Sequence, residues 1–303
     1  MTYGKGVALV LGAGVLWSTI GLVVRLIDEA GAASIMFWRS AGLLPVLWAF
    51  LHWRTGGRVI ASLRSVGLPG LVGALGLVAA YAGAIYALQA TTVANAVFLY
   101  SAAPFFAALL GWAALGERVP MTTWAAMALA GAGIFGMIGG GMSGGRMDGN
   151  IAALISAAGF AVFSVSLRWG HVADSLPTVL LGGILSMVAA FGLAPMLGET
   201  VAANPHDIAI AMALGAVILT GGMALYTLGS KALPTAELTL MSSIENILAP
   251  IWVWLLLGEK ASSSTLLGGA MVLVAVMANA LTGARRQSAR TQAAQDRAAM
   301  THP

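Results

Sequence analysis

The sequence predicts an all-α integral membrane protein of ten transmembrane helices, arranged as two inverted five-helix repeats. Three observations carry that expectation. Apolar residues make up 59% of the 303 residues and charged residues only 9%, at a mean hydropathy of +0.90, whereas charged residues form about a quarter of an ordinary soluble domain. The apolar residues fall into ten stretches, each near the roughly 20 residues that a helix needs to cross a hydrocarbon core. Finally, residues 86–118 can be laid on residues 228–260 without a gap, a shift of 142 (228 minus 86).

The ten spans lie at about 6–27, 34–52, 67–88, 94–115, 121–141, 150–169, 176–198, 208–230, 235–257 and 264–283. The first follows Lys5 but is too long for a signal-peptide core and has no convincing cleavage site after it, so it reads as a retained helix. The remaining spans are joined by loops of a few residues, which leaves no room for a soluble catalytic or nucleotide-binding domain. Residues 1–145 are expected to form the first repeat and 146–283 the second, with 284–303 a polar, disordered cytoplasmic tail.

Orientation follows from the basic residues, which are retained on the cytoplasmic side. With the N-terminus inside, Lys5, Arg54, Arg58, Arg64, Arg118, Arg168, Lys231 and the arginines from Arg285 onward all fall inside, and only Arg25, Arg39, Arg146 and Lys260 do not. The opposite loops carry Asp28, Glu29, Asp148, Glu199, Asp207 and Glu259. The expectation is a multi-pass inner-membrane protein with both termini cytoplasmic. Trp48, Trp53, Trp112, Trp124, Trp169, Trp252 and Trp254 fall near span ends, as an interfacial belt requires, while Trp17 lies mid-span.

Several function classes lose support. The net charge of +4 is spread over short loops rather than gathered in a patch, which argues against a nucleic-acid partner. There is no cysteine, hence no disulfide framework and no thiolate site. The four histidines stand at span ends, in loops or in the tail, without metal-ligand spacing. Gly139-Gly140-Gly141 lacks the Lys-Ser/Thr of a phosphate loop, so no ATP drive and no cofactor is expected.

Within the repeat, Ala90 meets Ala232, Ser101 meets Ser243, and Leu115-Gly-Glu-Arg118 meets Leu257-Gly-Glu-Lys260. Trp17 with Arg25 and Phe160 with Arg168 match more weakly, at a shift of 143 (160 minus 17). Because each repeat holds five spans, an odd number, the second must enter the membrane upside down. Inverted repeats of this kind place a substrate site near the bilayer midplane in secondary transporters.

These paired segments, with Pro104 and Pro250, the Trp17-Ser18 pair and Phe37-Trp38-Arg39 at the start of the second span, resemble the EamA-type branch of the drug/metabolite transporter superfamily. The resemblance covers about residues 6–283. It implies a central cavity walled by spans 1–4 and 6–9, with spans 5 and 10 at the periphery, and activity as a monomer or homodimer. Pro104 has no proline at its partner Asn246, so the halves are expected to kink at different heights.

Glu245 stands about ten residues from either end of the ninth span, where a charge costs several kcal/mol unless it is protonated, paired or facing water. It reads as a proton-coupling switch, against a permanently protonated or paired bundle contact. Its 142-shift counterpart is Ala103, so the feature belongs to one half only. Ser242 and Asn246 flank it, and Trp17, Tyr81, Asn95 and Tyr100 lie on wall-forming spans, where rings would stack on a planar substrate or hold a cation. Arg39 would either pair with a buried carboxylate, hold an anionic substrate group, or snorkel to the interface. Glu237 reads as interfacial, and Glu117 and Glu259, recurring at matched span ends, as loop contacts.

The expected function is secondary export of a small organic metabolite, an amino acid or related compound, by alternating access in the lipid bilayer. Cargo and direction are what the resemblance implies. Two other readings compete: an exchanger of anionic metabolites such as sugar phosphates or nucleotide-sugars, which would need several cavity cations, and an integral-membrane lipid enzyme, which would need clustered His, Asp or Glu at one interface.

Overall fold

In a computed structural model, residues 2–140, 147–172, 174–233, 237, 238, 241 and 243–300 are described, the last of them, from 284 on, by backbone alone. Among them, nine helices are long and apolar enough to cross a membrane. They are α1 (Tyr3–Arg25), α2 (Ala32–Thr55), α3 (Gly67–Ala90), α4 (Val93–Leu115), α5 (Met121–Gly139), α6 (Met147–Trp169), α7 (Leu176–Leu197), α8 (Pro205–Ala232) and α10 (Ser263–Gly283). A further apolar helix, α9 (Ile244–Leu257), has 14 residues. The two-turn Val59–Ser65 helix joins α2 to α3.

Lipid offers no hydrophobic reward for bringing two apolar helices together, so small residues that let backbones touch decide which pairs form. α3 and α6 meet through glycines: a methyl group on Gly76 would sit 2.7 Å from the Gly159 carbonyl oxygen, and one on Gly159 2.6 Å from that of Gly76. Gly83 lies equally close to Ala152. α5 and α10 pair with each other at Gly133 and Gly268, over a core of Ala126, Ala130, Val272 and Ala275. Gly131, Gly136 and Gly139 on the same helix have open space around them.

Polar contacts close the two ends of the bundle. At the end holding Tyr3, its hydroxyl donates to Glu237 (2.6 Å), Arg54 pairs with Asp174 (3.0 Å), and Arg168 with Glu117 (3.3 Å). At the far end, the buried Asp207 caps the α1–α2 connection by accepting the backbone N–H groups of Asp28, Glu29 and Ala30. Glu199 accepts the Ala33 N–H (2.8 Å), and Gln89 donates to the Ala30 carbonyl (2.9 Å).

Two expectations change. The halves share a break at matching positions, and Pro250 lies inside α9 where α4 has no equivalent proline. α4 is interrupted at Ser101–Ala102, between Val93–Tyr100 and Ala103–Leu115, and α9 begins at Ile244 directly after Ser243, the repeat partner of Ser101. Pro104 occupies the first turn of its helical segment, where a missing N–H costs nothing, so it starts that segment rather than kinking it. Beyond Gly283, where the sequence analysis places a disordered tail, the last helix continues to Met300. Ala, Gln and Arg, which dominate there, are strong helix formers, and neither Gly nor Pro interrupts residues 284–300.

The α3–α6 seam yields a test. Gly159→Leu forces the two backbones apart and should cost about 3 kcal/mol, read as a lowered melting temperature in detergent, while Gly136→Leu should stay within about 0.5 kcal/mol of the parent.

Candidate functional site

α8 organises the interior. Its backbone widens into a π-helical stretch over Leu214–Leu219, with the Thr220 hydroxyl donating back to the Gly215 carbonyl (2.9 Å). Such local widening is frequent at functional sites. Here it brings Gly215 against the backbone carbonyl of Arg39 on α2, and Gly42 of α2 against Met212. One turn on, Gly222 lies against the Trp17 indole of α1, and Gly229 meets Gly6.

Residues 219, 222, 223 and 226 share one face of a helix by their three- and four-residue spacing. Leu219 and Met223 pack in the cluster that contains Tyr81, and Tyr226 stacks at a tilt on Trp17, ring centroids 5.7 Å apart. Tyr226 and, from α4, Tyr100 both lie within electrostatic reach of Glu245. The same face therefore connects two polar poles.

At one pole, Arg39 is only 4% exposed, its guanidinium carbon 4.0 Å above the Tyr81 ring centre. Its Nε and Nη2 have no hydrogen-bond partner among the described residues. A cation over a ring face gains about 2 kcal/mol when desolvated, which falls short of replacing two lost charge-assisted hydrogen bonds. At the other pole, Glu245 occupies the first turn of α9 and makes no hydrogen bond or ion pair among the described residues. Arg39 and Glu245 do not pair with each other, nor does Arg39 reach an interface.

The expected site residues divide accordingly. Trp17, Arg39 and Tyr81 border α8, and Tyr100 and Glu245 are linked to it only through the electrostatic reach of Glu245 to Tyr226. Asn246 follows Glu245 in the first turn of α9, half-buried, its backbone N–H bonded to the Ser243 carbonyl (3.2 Å). Asn95 lies elsewhere, buried at the far end, where it donates to Asn150 and Thr91 and accepts from Thr265 (3.4 Å). Ser242 lies outside the described residues.

Tyr226 went unnoticed in the sequence; its signal was the shared helical face with Gly222. Trp252 was expected at the interface, but its indole N–H donates to Ser18 on α1 (2.8 Å), fastening α9 to the half-turn where α1 is interrupted. His206 stands 3.3 Å from Asp207, and Asp28 is adjacent. Because Asp207 already accepts three backbone N–H groups, that cluster is a clasp on the α1–α2 connection.

A bundle of nine helices apolar enough to span a membrane, with a buried arginine whose Nε and Nη2 are unbonded among the described residues, fits a membrane transporter. The chain belongs to the EamA-like transporter family, which it matches over residues 4–139 and again over 147–281. It is 25% identical over 283 residues to the uncharacterized transporter YwfM of Bacillus subtilis, covering 88% of this chain and 91% of that one. It is 26% identical over 274 residues to the pseudopaline exporter CntI of Pseudomonas aeruginosa, covering 86% and 91%. A solved crystal structure superimposes with a TM-score of 0.61 at 20% identity, over 94% of this chain and 99% of that one, which shows a shared fold.

The Trp252 contact can be weighed directly. Ser18→Ala and Trp252→Phe should each cost about 1 kcal/mol in detergent melting, and the double variant should cost less than their sum, since both remove one bond.

Proposed function

We propose that this protein is a secondary active transporter that exports a small zwitterionic metabolite, an amino acid or related compound, across the inner membrane by alternating access. The single observation that carries the reading is the pair of opposite, unpartnered charges: Arg39 above Tyr81, and Glu245 beside Tyr100 and Tyr226, joined by one aromatic-lined face of α8. A molecule bearing both a carboxylate and an ammonium group satisfies both poles at once. Its carboxylate would take the two free Arg39 donors, and its amine would lie by Glu245 among ring faces. When the chamber is empty of cargo, Glu245 can take a proton instead, which would couple the two movements.

Support for the finer architecture comes from the helices themselves. α9, an apolar helix of 14 residues, is read as the core of a tenth span, which would give each half, 1–145 and 146–283, five. Glu117 and Glu259, repeat partners, end up at opposite ends of the bundle, as inverted halves require. The basic bias of the loops favours both termini in the cytoplasm. The exporter among the relatives favours outward movement.

An exchanger of sugar phosphates or nucleotide-sugars would draw on Arg39 alone, and its cargo would leave Glu245 unanswered. A melting screen of amino acids, polyamines and organic phosphates separates the cases: a ligand at about a hundred times its Kd stabilises by about 2.7 kcal/mol. Amino acids should raise the melting temperature of the wild type, and Arg39→Gln should abolish that rise. In proteoliposome exchange, Glu245→Gln should slow transport at least tenfold, about 1.4 kcal/mol, and flatten its pH dependence. Unchanged rates and an unchanged pH profile would reject the role of Glu245.

A further inference from the structure

The recurring Leu-Gly-Glu ends of α4 and α9 fold alike. Gly116 and Gly258 both take left-handed backbone, φ 66° and 68°, which a side chain would resist. The following glutamates turn their N–H groups back onto Gly111 (3.1 Å) and Val253 (3.2 Å), positions that also correspond at the repeat shift of 142 (253 minus 111). Each glutamate is thereby presented to an arginine of the other half. Glu259 after α9 takes Arg25 at the end of α1 (2.8 Å), and Glu117 after α4 takes Arg168 at the end of α6 (3.3 Å). Arg25 and Arg168 are themselves repeat partners, at a shift of 143 (168 minus 25). The two ion pairs are thus reciprocal: same parts, exchanged halves, opposite ends of the bundle.

They are not equally closed. The Arg25–Glu259 side chains are 24% and 19% exposed, Arg25 also donates to the Thr91 carbonyl (2.6 Å), and Glu259 also accepts the Val93 N–H (2.6 Å). That pair ties α1, α9 and the α3–α4 junction into one knot. Arg168 likewise donates to the Ala107 carbonyl (3.2 Å), but the Arg168–Glu117 side chains are 45% and 38% exposed, and the pair borders a cleft of about 400 Å³ lined also by Pro104, Arg118, Phe160 and Asn279.

We propose that Arg25–Glu259 and Glu117–Arg168 are the paired latches of the transport cycle: each seals one face of the bundle, and one releases while the other holds. The proposal rests on the alternating-access reading above. Both pairs are formed in the present structure; the far one is the more enclosed, and the near one, bordering the cleft, is the one set to release first. A loop-capping contact would affect stability alone. A latch shifts the balance between the two open states, and removing opposite latches shifts it in opposite senses.

The absence of cysteine makes the test direct. Met223→Cys places one thiol on the α8 face, in the cluster that Tyr81 also borders, and a membrane-impermeant thiol reagent is applied to right-side-out or inside-out vesicles. Relative to that parent, Glu259→Gln and Arg25→Gln should raise labelling from the periplasmic face about fivefold and lower it from the cytoplasmic face, and Glu117→Gln and Arg168→Gln should do the reverse, a shift at the lower end of those seen between coupled sites. Either member of each pair serves if the other variant misfolds. Shifts of the same sense for both pairs, shifts under twofold, or a thiol unlabelled from either face in every variant would overturn the latches. Equal labelling from both faces in the parent itself would instead remove alternating access, and neither outcome bears on Glu245, which the transport assay tests separately.

Discussion

The backbone contact between α2 and α8 is the constraint on which the interior depends. Gly215 accepts the Arg39 carbonyl where a methyl group would collide, and Gly42 does the same for Met212. Two helices held this closely cannot rotate independently, so the direction in which Arg39 leaves α2 is fixed by α8. The π-helical stretch at Leu214–Leu219 supplies the extra residue that turns Gly222 and Tyr226 toward α1 after Gly215 has faced α2. One helix thereby places Arg39 over Tyr81 and Trp17 against Tyr226. Small residues make this possible because in lipid it is close packing, rather than escape from water, that favours one helix pair over another.

Charged groups in the bundle then separate into two kinds. Asp207, Glu199 and Glu259 stand at the far end and accept backbone N–H groups of connecting segments, so their cost is met by the chain itself. Arg39 and Glu245 lie within spans and have no such partners among the described residues. An unsatisfied buried donor costs about 1–3 kcal/mol, more when it is charged. Under the proposed function, Arg39 and Glu245 stay open because the cargo completes them.

The apolar stretches and the repeat were legible because span length and a gapless internal match are properties of the chain alone. Arg39 and Glu245 were legible as isolated charges in apolar runs. Tyr226 was not, because a tyrosine among apolar residues carries no mark of which face it occupies until the neighbouring helix is known. Asn95 misled for the same reason: its depth along α4 was right, but its side chain turns to Asn150 and Thr265 rather than inward. Trp252 sat where a belt residue would, and only the break in α1 at Thr19 reveals the Ser18 hydroxyl that binds it. Proline spacing misled too, since a proline in the first turn starts a helix and one in the middle bends it.

Symmetry and chemistry are divided between different residues. The features that recur in both halves, the discontinuity at Ser101 and Ser243, the left-handed glycines and the arginine-bound glutamates, all concern how segments start, stop and meet. The features that do not recur, Glu245 opposite Ala103 and Arg39 with its ring partner, concern, under the proposed function, what can be held. Alternation between two nearly equivalent states needs the first set to match, since a mismatch would favour one state permanently. Holding a molecule with distinct ends needs the second set to differ, because two copies of one pole would repel one end of the cargo. A duplicated scaffold that keeps its joints and diverges in its lining meets both demands together.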